Sequence, residues 1–385
     1  MKILMLNYEY PPLGGGAGKV TQNQCLQLSK EHEVVIVTTQ ISNLPRYQKD
    51  QNIEIYRLNS LRKSIHKSNV IEMISWMKTA YIFCNKYLEN NDIQLIFAHF
   101  SLPSGELAFR LSKKYKIPYF VMSHGHDIPW FFPRQMFVYH LFTYFRIRNI
   151  CRNAEKIIVL TPTLKKTADH FLGKEYSNKI IVIPNGCDNY LHQKKEKIQN
   201  SVMKIVFVGR LVSQKNPLLL VKSLFLLSQK DIPFQAEIIG DGPLFSKIKY
   251  LIDKYHLQNK VLLTGWKDSE FVQNAMNETN LFILPSRAEA MSIALLEAIF
   301  SNIFSITTPN CDNFNLIENG ENGYLFETNN VEDLTDKILD FYKHFFQTNR
   351  VVNPEKNNQI QAKYNWNTIG EMYLKEIDAI TQKNQ

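Results

Sequence analysis

Long apolar runs are missing from this sequence: no stretch approaches the roughly 18 residues that a membrane-spanning helix needs. The opening, MKILMLN, turns polar too soon for a signal peptide, so a cytoplasmic location is expected. Cysteine is scarce and unpatterned. Cys25, Cys84, Cys151, Cys187 and Cys311 show neither CxxC pairing nor zinc-ligand spacing, and are expected to be buried thiols. Two phosphate-loop patterns are absent as well, although LNYEYPPLGGGAGKV invites both labels. A dinucleotide GxGxxG starting at Gly14 would need glycine where Lys19 stands. A triphosphate loop ending at Gly18-Lys19 would need glycine at Leu13 and a hydroxyl at Val20. No nucleic-acid-binding module is visible either.

What is present is an ordinary globular composition, 44% hydrophobic and 21% charged, in a chain too long for one core. Two domains are expected. The net charge of +9 is unevenly placed. Residues 1–190 hold 24 Lys and Arg against 14 Asp and Glu, whereas 191–385 hold 21 against 22. The basic half fits either an anionic partner surface or a solvated face without a partner.

Short apolar runs alternate with helical periodicity, the pattern of βα units and a parallel sheet. KILML, VVIVT, IEIYRL, IQLIFAH, YFVMS, KIIVLT and KIIVIP read as strands of the first half. Val70, Ile74, Met77, Tyr81, Cys84 and Leu88 recur at steps of three and four, predicting a long helix with these residues in the core. A lysine-rich stretch, LHQKKEKIQNSVM, reads as an interdomain linker. KIVFVG, AEIIG, KVLLTG, LFILP and IFSIT then restart the pattern. The expectation is an α/β protein with two Rossmann-like, doubly wound domains facing a central cleft, where such folds bind ligands.

Three loops carry chemistry. Gly15 and Gly16 let the backbone approach a phosphate or sugar oxygen near a helix start, though a plain turn would read the same. In GRLVSQKNP, Arg210 and Lys215 follow a strand at a helix entrance, where cations oppose the dipole. Either a bound anion or simple exposure accounts for them. In PSRAEAMSIALLEAIF, Glu297 has apolar neighbours on nearly every side. Burial then requires partners, either ligand hydroxyls such as a ribose diol or protein groups. Glu289 precedes that helix.

The motifs together resemble the retaining glycosyltransferases of family 4, with their GT-B fold. YPPLGGGAG, SHGHD at 123–127, IPNGCD at 183–188, FVGRLVSQKNP at 207–217, IIGDGPL at 238–244, LTGW at 263–266, the E-x(7)-E pair and ENGYLF at 321–326 occur in the family's order. The resemblance implies an acceptor-binding domain over 1–190, a donor-binding domain over 191–365, and a last helix over 366–385 that crosses back to the first domain. It implies that Arg210 and Lys215 meet the leaving diphosphate, that Glu297 binds the donor ribose, and that Glu289 contacts the donor sugar. Ala290, Met291 and Ser292 would supply backbone amides beside Gly15 and Gly16. His124 would face the reacting sugar, although alone it reads as a core histidine. Asp127 would orient its loop or contact acceptor.

A nucleotide-diphosphate sugar, UDP- or GDP-linked, is then a substrate, and no cofactor is implied. No DxD occurs, in keeping with the family's metal-independent chemistry. The implied acceptor is a glycan or lipid-linked glycan of cell-surface polysaccharide or lipopolysaccharide synthesis, with no nucleic acid involved. Three departures reshape the donor pocket: Glu289-Ala290-Met291-Ser292 stands for EGFG, Asn302-Ile303-Phe304 for G-x-P, and Asp312-Asn313-Phe314-Asn315-Leu316 for a Gly-Gly-x-x-Glu turn. A nucleotide-sugar epimerase or hydrolase of similar fold, and a non-catalytic sugar-nucleotide-binding subunit, remain alternatives. Peripheral docking on an anionic membrane is the expectation drawn from the basic half. It rests on Arg57, Arg62, Lys63 and Lys67 leading into the helix of Trp76, and on Trp130, Phe131 and Phe132 followed by Arg134, Arg146 and Arg148. The aromatic stretch would equally suit a core helix.

Overall fold

The computed structural model describes residues 1–13, 15–41, 44–64, 68–188, 202–350 and 352–383. The chain divides into two units, Met1–Gly186 with Trp366–Gln385, and Cys187–Asn365. The stretch read as a linker lies mostly outside the described residues, as do Gly14 and Lys67.

The first unit is built on β1 (Lys2–Leu6), α1 (Gly16–Leu28), β2 (Glu33–Thr39), β3 (Tyr47–Asp50), β4 (Ile53–Leu58), α2 (Val70–Leu88), β5 (Leu95–His99), α3 (Glu106–Tyr115), β6 (Tyr119–Ser123), α4 (Pro133–Asn153), β7 (Lys156–Val159), α5 (Pro162–Leu172) and β8 (Ile180–Val182). The strands form one sheet in the order β3-β4-β2-β1-β5-β6-β7-β8. Burial on both faces explains why the central strands read as unbroken apolar runs. β3 carried no such signal, because YQKD is an exposed antiparallel edge.

Helix α2 starts with a capping box between Asn69 and Glu72. Its buried stripe is Trp76, Ala80, Cys84 and Leu88, at steps of four. The core expected along Val70 and Ile74 is therefore rotated: both are exposed. Trp76 is core rather than interfacial, closing over Tyr8.

The second unit contains β9 (Met203–Val208), α6 (Pro217–Ser228), β10 (Phe234–Ile239), α7 (Phe245–Lys254), β11 (Val261–Gly265), α8 (Ser269–Asn277), β12 (Leu281–Leu284), α9 (Ile293–Phe300), β13 (Phe304–Thr307), β14 (Gly323–Leu325), α10 (Val331–Phe341) and α11 (Pro354–Tyr364). Its parallel sheet runs β11-β10-β9-β12-β13-β14 around its own core, in which Phe304 meets Phe341 and Phe345. β14, three residues inside ENGYLF, is too short to show a period. The last helix, α12 (Trp366–Lys383), packs in the first unit. There Tyr373 meets Phe97 edge-on, Lys30 Nζ donates to Asn367 Oδ1 at 2.9 Å, and Trp366 lies so close to Gly186 that a Cβ there would be 2.6 Å from its ring.

All five cysteines are free and buried. Among the described residues no helix is long and apolar enough to cross a membrane. Two of the basic residues assigned to a membrane face are buried instead. Arg57 donates to Pro45 O and Gln48 Oε1, and Arg62 donates to Tyr8 O and Ser64 O and pairs with Glu9. Arg146 is bound, with Arg110, by Glu106. Helix α4 has the opposite character. His140, Ile147, Ile150 and Cys151 are buried, while Phe137, Val138, Leu141, Phe142 and Phe145 are 53% to 82% exposed on another face. That helix is half core and half bare apolar surface, and it contains no carboxylate.

Candidate active site

Each sheet reverses its direction of growth once. In the first unit the chain builds from β1 outward to β2 and β4, then returns to β5 on the other side of β1. In the second it builds β9, β10 and β11, then returns to β12 beside β9. At such reversals the loops leaving neighbouring strands part, and open α/β sheets bind ligands there. Every site residue read from the sequence falls on loops or helix starts at these carboxyl edges, or in the helix that follows.

In the second unit the loop after β9 carries Arg210 and Lys215, and the loop after β12 carries Glu289. Backbone and side chain tie the two together: Arg287 N–H donates to Gln214 O at 2.8 Å, and Gln214 Nε2 donates to Ala288 O at 2.8 Å. Lys215 Nζ thereby sits 2.8 Å from Glu289 Oε1, with both side chains largely shielded. The cation that the helix entrance left unexplained is thus matched by a carboxylate. Arg210 lies outside the pair and is exposed. The IIGDGPL loop packs against the same turn, Leu211 N–H donating to Asp241 O at 2.9 Å. Gly240 is required there: at φ +147° a Cβ would fall 1.9 Å from Gly209 O.

Ser292 caps α9, its Oγ accepting from Leu295 N–H at 3.3 Å. Glu297 is buried on that helix, and Ala290, Met291 and Ser292 are buried before it. The three sequence departures have local substitutes. Asn302 takes the left-handed conformation, φ +52°, just beyond α9. Asn302 N–H donates to Ile299 O and Ile303 N–H to Ala298 O, the paired bonds of a Schellman ending in which asparagine stands for glycine. Asn313 Nδ2 donates to Glu289 O and Ala290 O, bracing the loop that has lost its glycines. Asp312 accepts from Leu316 and Ile317 N–H, and burial raises its pKa.

In the first unit Gly15 and Gly16 are exposed at the start of α1, which has no side-chain cap, and a Cβ on Gly15 would meet nothing. Its first amides are open to an acceptor. His124 follows β6 and is half-buried. Asp127 is occupied holding that loop: it accepts from Ser101 N–H and Oγ, from Ser123 Oγ at 2.8 Å and from His124 N–H at 3.2 Å. Burial lowers the His124 pKa to about 4, against the pull of Asp127.

Two participants escaped sequence reading. Asn313 lies inside a departure from the motif. His99 ends β5 and touches His124, Nδ1 to Nε2, at 3.1 Å. A polar residue closing an apolar strand run at a sheet's carboxyl edge was the available signal.

A family model described as Glycosyltransferase Family 4 matches residues 14–189, and one described as Glycosyl transferases group 1 matches residues 189–360. An uncharacterized glycosyltransferase of Methanocaldococcus jannaschii is 26% identical over 375 residues, 95% of each chain. A UDP-Gal:alpha-D-GlcNAc-diphosphoundecaprenol alpha-1,3-galactosyltransferase of Escherichia coli is 30% identical over 174 residues, 42% of this chain and 44% of its own. Among solved structures, sucrose-phosphate synthase from Thermosynechococcus elongatus matches with a TM-score of 0.84 at 15% identity, over 100% of both chains, a likeness of fold.

Proposed function

Because this chain belongs to the family 4, group 1 glycosyltransferases with the GT-B fold, we propose that it moves a sugar from a UDP- or GDP-linked donor to a glycan or lipid-linked acceptor, with retention of anomeric configuration. The carrying observation is the junction at the second unit's switch point, where the loops after β9 and β12 bring Lys215 against Glu289. Arg210 and Lys215 receive the diphosphate as its bond to the anomeric carbon breaks, helped by amides at Ala290, Met291 and Ser292 and by Gly15 and Gly16. Fixed charge of this kind stabilises a leaving group without a metal. Glu289 contacts the sugar and Glu297 the ribose. His124 serves the sugar from the first unit, on a loop positioned by Asp127.

The Escherichia coli relative, whose name joins UDP-Gal to a diphosphoundecaprenol-linked acceptor, supports a lipid-linked acceptor and a role in cell-surface polysaccharide or lipopolysaccharide synthesis. So does α4. Its bare apolar face, on a helix with arginines and no acid, suits shallow contact with the anionic inner leaflet of the cytoplasmic membrane. A thermal-shift panel of nucleotide sugars tests the donor. A true donor at 100 times its dissociation constant adds about 2.7 kcal/mol of stability, and that gain disappears when Arg210 and Lys215 are both alanine. Equal stabilisation of the double variant would overturn the site.

A further inference from the structure

Four side chains from β1's exit, α1, β5 and β6's exit form a chain of contacts, and its protons can be placed one by one. Asn7 Nδ2 donates to Thr21 Oγ1 at 2.6 Å, the amide being oriented by Glu9 N–H, which donates to Asn7 Oδ1 at 3.0 Å. Thr21 Oγ1 donates to Ala17 O at 2.9 Å, back along α1. A hydroxyl has one proton, so Thr21 has none left for His99 Nδ1, which stands 3.1 Å away. Two lone pairs would repel at that distance. The proton in this contact therefore belongs to His99 Nδ1.

The same N–H reaches His124 Nε2, also at 3.1 Å. The ring centroids are 5.3 Å apart and the planes differ by 19°, so the nitrogens meet nearly within one plane, where N–H and lone pair both lie. The opposite assignment, with His124 donating, would place the His99 proton on Nε2, a fully buried atom with no hydrogen-bond partner among the described residues. An orphaned N–H is the costlier error. Burial drives both rings toward the neutral form, which leaves one proton on each. His124, accepting at Nε2, keeps its proton on Nδ1.

We infer that His99 is a positioning residue that holds His124 as the Nδ1–H tautomer, so that His124 offers a sugar oxygen a neutral N–H donor and no base. The sugar-facing role of His124 rests on the reading above; the tautomer does not.

The test is long-range 1H–15N correlation of histidine rings in the full chain without ligand at neutral pH, with His124→Asn identifying the signals. His124 should be protonated at Nδ1 and bare at Nε2. In His99→Leu it should relax to a mixture of tautomers, whereas His99→Asn, whose amide replaces the Nδ1–H, should preserve Nδ1–H. With a nucleotide sugar, His99→Leu should lower kcat on the order of tenfold with KM nearly unchanged, and His99→Asn should recover most of it. A His124 protonated at Nε2 in the wild type, or unmoved by His99→Leu, overturns the tautomer assignment. An unchanged kcat in His99→Leu overturns the positioning role. If the tautomers respond as described while the wild-type protein turns over no nucleotide sugar, the assignment stands and the transferase reading falls.

Discussion

Lys215 Nζ and Glu289 Oε1 lie 2.8 Å apart, so the cation proposed for the diphosphate and the carboxylate proposed for the sugar neutralise each other before any ligand arrives. A diphosphate must compete with Glu289 for that charge. Glu289→Gln should therefore tighten binding of free nucleotide diphosphate by about 1 kcal/mol, roughly fivefold, while lowering turnover on the order of a hundredfold. Titration calorimetry alongside a transfer assay checks both; weaker nucleotide binding by the variant would contradict the competition.

The partners of that pair should also separate in stability. Lys215→Ala leaves a buried carboxylate without its cation and should cost about 3 kcal/mol in urea unfolding. Arg210 is exposed, so Arg210→Ala should stay within about 0.5 kcal/mol of wild type while still reducing turnover. A matched stability loss in both variants would count against the arrangement.

The histidines set an acid limit. The His124 pKa falls from 6.5 to about 4, and His99 is shifted in the same direction, each mainly by burial. Between these values the unfolded chain binds more protons than the folded one. Stability from His124 is complete above pH 6.5, is lost as pH falls toward 4, and changes no further below, and His99 contributes a loss of the same sign as pH falls. Unfolding free energies from pH 7.5 to 4 should show that slope, and His124→Asn should flatten it.

Asn302 tests the end of α9. At φ +52°, Asn302→Ala should cost about 1 to 2 kcal/mol. Asn302→Gly should cost less, since glycine adopts the conformation freely and loses only the bond from Asn357 Nδ2, which is 3.0 Å long. Chemical denaturation of both variants gives the comparison; since both lose the Asn357 bond, a worse outcome for glycine would show that relief of left-handed strain is not what decides this position.

Membrane contact should follow α4, not the buried arginines. Phe142→Ser with Phe145→Ser should abolish flotation with anionic liposomes and leave the unfolding temperature nearly unchanged, because both side chains are already in water. Arg62→Glu should instead damage the fold, since its guanidinium is enclosed by Tyr8 O, Ser64 O and Glu9. Flotation that survives the double serine variant would exclude this face.

Much of the architecture was readable because buried parallel strands must be apolar: IEIYRL and YFVMS coincide with β4 and β6. The site loops were readable because charges and glycines sit where the apolar runs stop. Glu297 was readable as buried from its neighbours alone. Arg57 and Arg62 were not, because their hydrogen-bond partners include backbone carbonyls, which every residue has and no pattern marks. The buried side of α2 was misplaced because Val70 and Ile74 share its period while facing water. β3 had no apolar signal since its side chains do not pack.

The five buried cysteines have a practical consequence. Burial pushes the thiols of Cys151 and Cys311 up to about 12 and raises those of Cys25 and Cys84 as well. Thiolate, the reactive species, is then scarce at neutral pH. The native chain offers maleimides a quiet background, so a cysteine engineered at an exposed position such as Phe142 can carry a fluorophore without first stripping the native ones, which fill the cores.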